Sequence, residues 1–195
     1  MPTWGWILVA VAVVIIALAA VLAVRSASRR RTERLKDRFG PEYERTVDHF
    51  GQERAAEKEL TARERKRNKL DIVALSPEAR ENYAASWRKV QTAFVDDPAS
   101  AVRDADKLVA QVMRERGYPV DDFDQRAADI SVDHPHVAEN YRTAHMIFLS
   151  QEKTSVGTEA QREAFVHYRA LFDELLETHE DRAAARETNK PKETA

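Results

Sequence analysis

Residues 7–24 read ILVAVAVVIIALAAVLAV, an unbroken apolar run of 18 residues. A helix rises about 1.5 Å per residue, so this run is about 27 Å long, close to the thickness of a bilayer's hydrocarbon core. A helix also satisfies its own backbone hydrogen bonds, which lipid requires. The run predicts an N-terminal transmembrane anchor over residues 1–24, with the span itself at about 6–24.

The flanks of the run predict its orientation. No Lys or Arg precedes it, whereas seven basic residues follow within 14 positions. Basic residues stay on the cytoplasmic side and tryptophans favour the headgroup level. We therefore expect a single-pass protein of the cell (inner) membrane, with its N-terminus outside and its C-terminal domain in the cytoplasm. The predicted contacts with the bilayer and its anionic headgroups are Trp4, Trp6, Arg25, Arg29, Arg30, Arg31 and Arg34.

A cleaved signal peptide is the alternative interpretation of the same run. Small residues at 26–27 offer a cleavage site near residue 27, which would release an exported soluble protein. However, signal peptides have a basic segment before an apolar stretch of about 7–15 residues. The chain lacks that segment and its run is longer, so the sequence favours an anchor.

Composition indicates helices and a marked charge asymmetry in the rest of the chain. Five glycines, seven prolines and 33% charged residues favour helical structure over sheet. Residues 25–70 hold 15 basic and 9 acidic residues, a net charge of +6, whereas 71–195 hold 16 and 24, a net charge of −8. There is no cysteine, which excludes disulfides, thiol nucleophiles and thiolate metal sites.

The sequence divides the soluble part into four segments and predicts an all-α fold. A basic juxtamembrane collar (25–40) leads into a charged helical arm (41–70), then a small irregular helical bundle (71–180) and a disordered tail (181–195). Beyond Gly51 the arm has almost no large apolar residue except Leu60, so we expect a solvated helix. Its basic end, residues 63–69, has no interleaved aromatic residue, so no nucleic-acid partner is predicted.

Apolar residues recur at helical spacing through the bundle segment. Ser76 before Pro77, Asp121 and the capping-box pattern Thr158 to Gln161 mark predicted helix starts, and Gly117 marks a predicted end. The predicted buried stripes are Tyr83, Trp87, Val90 and Phe94; Val102, Ala105, Leu108, Val109, Val112 and Met113; Val137, Tyr141, Ala144 and Phe148; and Phe165, Tyr168, Phe172, Leu175 and Leu176.

Several sequence words resemble those of a known family. They are RFGPEYERTV (38–47), FVDDP (94–98), VMRERGYPVDDFDQRAADISVDHP (112–135), YRTAH (141–145) and HYRALFDELL (167–176). The set is similar to a family of uncharacterised bacterial, mainly actinobacterial, single-span membrane proteins with a small helical soluble domain. Its members are usually labelled only "membrane protein" or "secreted protein". The resemblance covers about 35–176 and implies the same architecture, but it carries over no catalytic residues.

Histidine and aspartate are the only candidates for catalysis or metal binding. Asp133, His134, His136 and His145 could be drawn as a small metal-dependent hydrolase site, which we keep as an alternative. Against it, His136 and His145 lie nine residues apart and no HExxH motif is present. His145 and His167 lie beside apolar stripes and are expected to be half-buried beside a carboxylate or backbone partner.

The acidic patch near residues 121–133 lacks the spacing and glycine of a calcium loop. Helix capping explains Asp121 and Asp133 without a ligand. The sequence thus predicts no catalytic residues, no metal site and no cofactor. It favours a non-catalytic, membrane-anchored interaction or scaffold module that faces the cytoplasm and binds the bilayer and an unknown protein partner.

Overall fold

The computed structural model describes the backbone of residues 3–154 and 156–177, and their side chains except at 3, 5–11, 14, 17 and 24. This part of the chain is all-α, as predicted, and contains no strand. The predicted tail at 181–195 lies outside it. The eight described helices are α1 Thr3–Phe39, α2 Pro41–Phe50, α3 Glu53–Arg67, α4 Pro77–Ala93, α5 Pro98–Glu115, α6 Phe123–Asp133, α7 Pro135–Lys153 and α8 Thr158–Leu176.

The chain forms two compact units, Met1–Glu57 and Lys58–Ala195. Their boundary falls inside α3. Within the part of the chain that the structure describes, no helix is both long and apolar enough to cross a membrane. The membrane anchor over residues 1–24 stays a prediction.

In the first unit, the predicted arm is not one continuous solvated helix. Gly51 adopts a left-handed φ of 68° and donates its N–H to the Val47 carbonyl, which ends α2 before α3 begins. Tyr43 is buried, and so is the carboxylate of Glu57, which accepts hydrogen bonds from Tyr43 and Thr32. Beyond Gly51 the expectation of solvation is therefore wrong at Ala56 and Glu57, which are buried in this unit, Glu57 with hydrogen-bond donors for its carboxylate.

The second unit is a helical bundle with a predominantly apolar core. Helix α8 packs against both α7 and α5, and α4 packs against α5. Trp87 of α4 stacks on Phe165 and Phe172 of α8, with ring centroids 5.1 and 4.6 Å apart. All six residues of the predicted α5 stripe are buried, which confirms that prediction.

A tight loop closes the end of α5 against the connector that precedes α4. The Val73 N–H donates to the Arg116 carbonyl at 2.9 Å, while Gly117 has a φ of 94°. A Cβ on Gly117 would collide with the carbonyl oxygen of Asp71. Glycine is therefore required both by its φ and by this close approach, and Gly117 ends the helix region as predicted.

Of the helix starts predicted at Ser76, Asp121 and Thr158, the structure confirms the first and differs at the other two. Ser76 caps α4 through a 3.1 Å bond from the Ala79 N–H, as predicted. Helix α6 is capped by Asp122 rather than Asp121, because the Gln125 N–H points to the Asp122 carboxylate at 2.8 Å. The capping box at α8 is wrong: Thr158 is already inside the helix, and Gly157 occupies the N-cap position without a side chain to accept a bond.

Candidate functional site

The outer surface of α1 is the candidate site that the sequence singles out. The described large apolar side chains of residues 7–24 are exposed, several by more than half of their area. Contiguous apolar surface of this kind is unfavourable in water at about 25 cal/mol per Å2 and marks sites that contact another apolar phase or protein. These exposed side chains are Val13, Ile15, Ile16, Leu18, Val21 and Leu22.

The predicted membrane-contact residues that the structure describes all lie on the surface. Trp4 is 63% exposed, whereas the side chain of Trp6 lies outside the described residues. The collar arginines Arg25, Arg29, Arg30, Arg31 and Arg34 are exposed along the following turns of the same helix. The first turn of α1 has no acidic residue, and its last turn holds the basic residues Lys36 and Arg38.

A second charged site lies within the bundle unit, where the basic end of α3 meets α6. Lys66 Nζ is 3.3 Å from Asp129 Oδ2, and Arg67 Nε lies 2.7 and 2.8 Å from the two oxygens of Asp133. The hydroxyl of Tyr118 also donates to Asp133, at 2.7 Å. The prediction of a solvated basic end at 63–69 is therefore wrong at Lys66 and Arg67, which pair with α6.

This charged site also corrects the predicted role of Asp133. The residue ends α6 and accepts bonds from Arg67 and Tyr118, while the N-cap position of α7 is occupied by His134. Burial raises the pKa of Asp129, because desolvation outweighs the favourable charge of Lys66. Burial, with the nearby charge of Asp133, also raises the pKa of Tyr118 and keeps its hydroxyl a donor.

The histidines of the hydrolase alternative lie in separate surroundings. His134 is buried with Nδ1 3.0 Å from Glu174, whereas His136 is exposed. His145 stacks on Phe123, with centroids 3.6 Å apart and an interplanar angle of 8°. Among the described residues, no group of three or more His, Asp or Glu side chains is placed to hold a metal ion.

Two half-buried histidines do have the carboxylate neighbours that the sequence predicts. His145 Nδ1 lies 3.8 Å from Asp106 Oδ1, and His167 Nε2 lies 3.8 Å from Glu163 Oε1. Both distances are too long for hydrogen bonds, so these are loose electrostatic contacts.

Sequence reasoning missed Arg126, which the structure buries in the bundle unit. Its signal was present in the sequence: Arg126 lies three residues after Phe123 and four before Ile130, on the apolar face of α6. Asp106 and Tyr168 were also missed as a pair, since 62 residues separate them; the Tyr168 hydroxyl donates to Asp106 at 3.0 Å.

Comparison with known proteins assigns no relative to this chain. No family model, no curated protein and no solved structure matches it. The resemblance to the actinobacterial single-span family therefore stays a prediction.

Proposed function

We propose that this chain is a membrane-anchored helical protein whose bundle acts as a non-catalytic interaction or scaffold module on the cytoplasmic side. One observation carries the proposal: the described large apolar side chains of residues 13–22 in α1 are exposed, and exposed arginines follow them from Arg25 onward. An apolar helical segment with basic residues at only one of its ends is typical of a membrane span and its cytoplasmic flank.

Energetics support lipid as the medium around residues 7–24. Leu, Ile, Phe and Val each favour the centre of a membrane helix by about 0.3–0.6 kcal/mol on insertion scales. The run has no charged residue, so the cost of about 2.5–3.5 kcal/mol for each buried Asp, Lys or Arg does not arise. The collar arginines next to it would each gain about 1 kcal/mol near an anionic leaflet.

The role of the bundle is inferred from charge. The collar and arm are basic, whereas residues 71–195 carry a net charge of −8. An acidic module repels an anionic leaflet and attracts basic partners, so its chemistry favours a protein partner over the membrane surface. We therefore assign the lipid contacts to α1 and the partner contacts to the bundle.

Topology mapping tests the anchor. A reporter that is active only in the cytoplasm, fused after residue 195, is expected to be active, and the protein is expected to stay in the membrane after alkaline carbonate extraction. A reporter active only outside the cytoplasm serves as the matched control. Activity of the external reporter, or release by carbonate, would contradict the proposal.

N-terminal sequencing of the native protein separates the anchor from the exported alternative. We expect the apolar run to be retained, since the bonds near residue 27 lie inside α1 and proteolysis concentrates in exposed loops. A mature N-terminus between residues 25 and 29 would instead support export of a soluble protein.

Crosslinking in intact cells tests the interaction module. Photoreactive groups placed at exposed bundle positions, such as Met146 and Val166, are expected to trap a protein partner. The same group at Ile16 is expected to trap lipid. Recovery of only the uncrosslinked chain from every bundle position would count against a partner on this unit.

A further inference from the structure

Arg126 is a buried cation in the bundle unit, held between aromatic rings. Only 9% of the residue is exposed, and its guanidinium carbon lies 5.7 Å from the Phe123 ring centroid and 5.9 Å from that of Tyr141. Cation–π contacts of this kind contribute about 0.5–2 kcal/mol, which is less than the several kcal/mol that burial of an ion costs.

Among the described residues no ion pair compensates this charge, since the Asp106 carboxylate of the same region accepts a hydrogen bond from Tyr168 instead. Arg126 has no carboxylate within ion-pair distance in the part of the chain that the structure describes, and its buried Nε has no hydrogen-bond acceptor. Buried charges in proteins are ordinarily paired with an opposite charge. An anionic ligand would therefore supply the acceptor that Arg126 Nε does not have within the chain.

Two further buried polar atoms without hydrogen bonds lie around the same rings. Tyr141 is fully buried, and its hydroxyl has no partner. His145 stacks on Phe123, and its buried Nδ1 has no hydrogen bond because Asp106 is 3.8 Å away. Asp106 itself accepts the Tyr168 hydroxyl at 3.0 Å. Burial raises the pKa of Tyr141, so its hydroxyl remains a donor.

We propose that Arg126 and Tyr141 form a binding site for a small monocarboxylate ligand, with the stacked Phe123 and His145 rings as its flat wall. A carboxylate matches the planar donor geometry of a guanidinium and accepts a hydroxyl proton as well. A monoanion suits the site better than a phosphate dianion because the Asp106 carboxylate already lies 3.8 Å from His145 Nδ1. This proposal does not depend on the membrane anchor.

The test is a titration of the full-length chain in non-ionic detergent with sodium benzoate, sodium acetate, sodium phosphate and sodium chloride at matched ionic strength. Calorimetry and the thermal midpoint of unfolding report binding. We expect benzoate and acetate to bind saturably and to raise the midpoint, because a ligand that binds only the folded state stabilises it. Chloride is expected to do neither.

Tyr141→Phe isolates the site, because it removes a hydroxyl that has no partner in the free protein. We expect an unchanged midpoint without ligand and a carboxylate affinity about tenfold weaker or more, as for loss of a hydrogen bond to a charged group. Tyr83→Phe is the matched control, since its hydroxyl bonds Glu115 at 2.6 Å elsewhere in the unit. Arg126→Gln is expected to abolish binding.

Three results would overturn the proposal. The first is no saturable binding of either carboxylate, which would leave at most a buried water at the site. The second is carboxylate binding of equal affinity in the unmodified chain and in Tyr141→Phe. The third is tighter binding of phosphate than of both carboxylates, which would contradict the monoanion argument.

Discussion

Helices α1 and α5 use the same apolar residue types in opposite surroundings. In α5, Val102, Val109 and Val112 are completely buried. They recur at helical spacing, and polar residues stand between them in the sequence. In α1, Ile16 and Leu22 are 67% and 65% exposed. Apolar side chains alone therefore do not build a core; their arrangement around the helix decides what surrounds them.

The arrangement differs in a way that explains the outcome. The apolar residues of α5 form one stripe, which α4 and α8 cover. The run in α1 is apolar on every side, so no single neighbouring helix could cover it. A helix that is apolar all round is stable where its whole surface meets an apolar medium. The contrast between α5 and α1 thus underlies the proposed anchor.

Truncation of one leucine in the bundle core and of one in α1 gives the largest expected effect. Leu171→Ala, at a fully buried position of α8, is expected to lower the free energy of unfolding of the bundle by about 2–5 kcal/mol, because it leaves a cavity. Leu22→Ala, at a 65% exposed position, is expected to leave it unchanged. Scanning calorimetry of the full-length chain in detergent measures both. Equal losses would remove the distinction between the two regions.

A charge introduced into the run tests its surroundings directly. Leu18→Arg is expected to oppose membrane insertion by about 3 kcal/mol, since Arg is unfavourable and Leu favourable at the centre of a span. The fraction of chain that resists carbonate extraction should fall. Val95→Arg is the matched control, because Val95 is 82% exposed in the bundle unit and its replacement should not affect membrane retention. Similar retention of both variants would contradict a lipid-embedded run.

The helical stripes were predictable because local periodicity determines them. Residues three and four apart share a face, so the α5 stripe can be found without knowledge of its partners. The same logic fails for polar contacts between distant segments. Arg67 and Asp133 are 66 residues apart, and nothing local to either residue indicates the other.

The sequence predicts the burial of charged side chains poorly. Side chains of Glu42 and Glu57 are buried although carboxylates are expected in water. Glu57 is buried with a donor from another helix, Thr32 of α1, to which nothing near Glu57 in the sequence points. Arg126 lies between Phe123 and Ile130 on the apolar face of α6, where a pattern of apolar residues alone does not include it. A charged residue inside an apolar stripe is the signal that a sequence-based search should retain.

Loss of the polar contact between α3 and α6 is expected to have a moderate effect on the stability of the bundle. It extends the comparison from apolar to polar side chains. Asp133→Ala is expected to destabilise the bundle by about 1–3 kcal/mol, because it leaves the buried Tyr118 hydroxyl without an acceptor. Asp104→Ala removes an exposed pair with Lys107 at 3.3 Å and is expected to cost at most about 0.5 kcal/mol. Calorimetry of both variants distinguishes them. A small loss at Asp133 would show that the α3–α6 contact contributes little.

The smallest expected effect is a difference in pH dependence between a buried and an exposed aspartate. Burial raises the pKa of Asp129, so the folded state keeps the proton of this carboxyl group to a higher pH than the unfolded chain does. The contribution of Asp129 to stability therefore falls as pH rises from about 3.8 to its raised pKa. Hydrogen bonds from Ser100 lower the pKa of Asp97, so that group's stabilisation is lost as pH falls towards its lowered pKa. Asp129→Asn should therefore become more stable relative to the unmodified chain as pH rises from 3 to 7, and Asp97→Asn less stable. Thermal midpoints measured across this range give both slopes. Slopes of the same sign would mean that desolvation does not dominate at Asp129, and that Lys66 compensates the buried carboxylate fully.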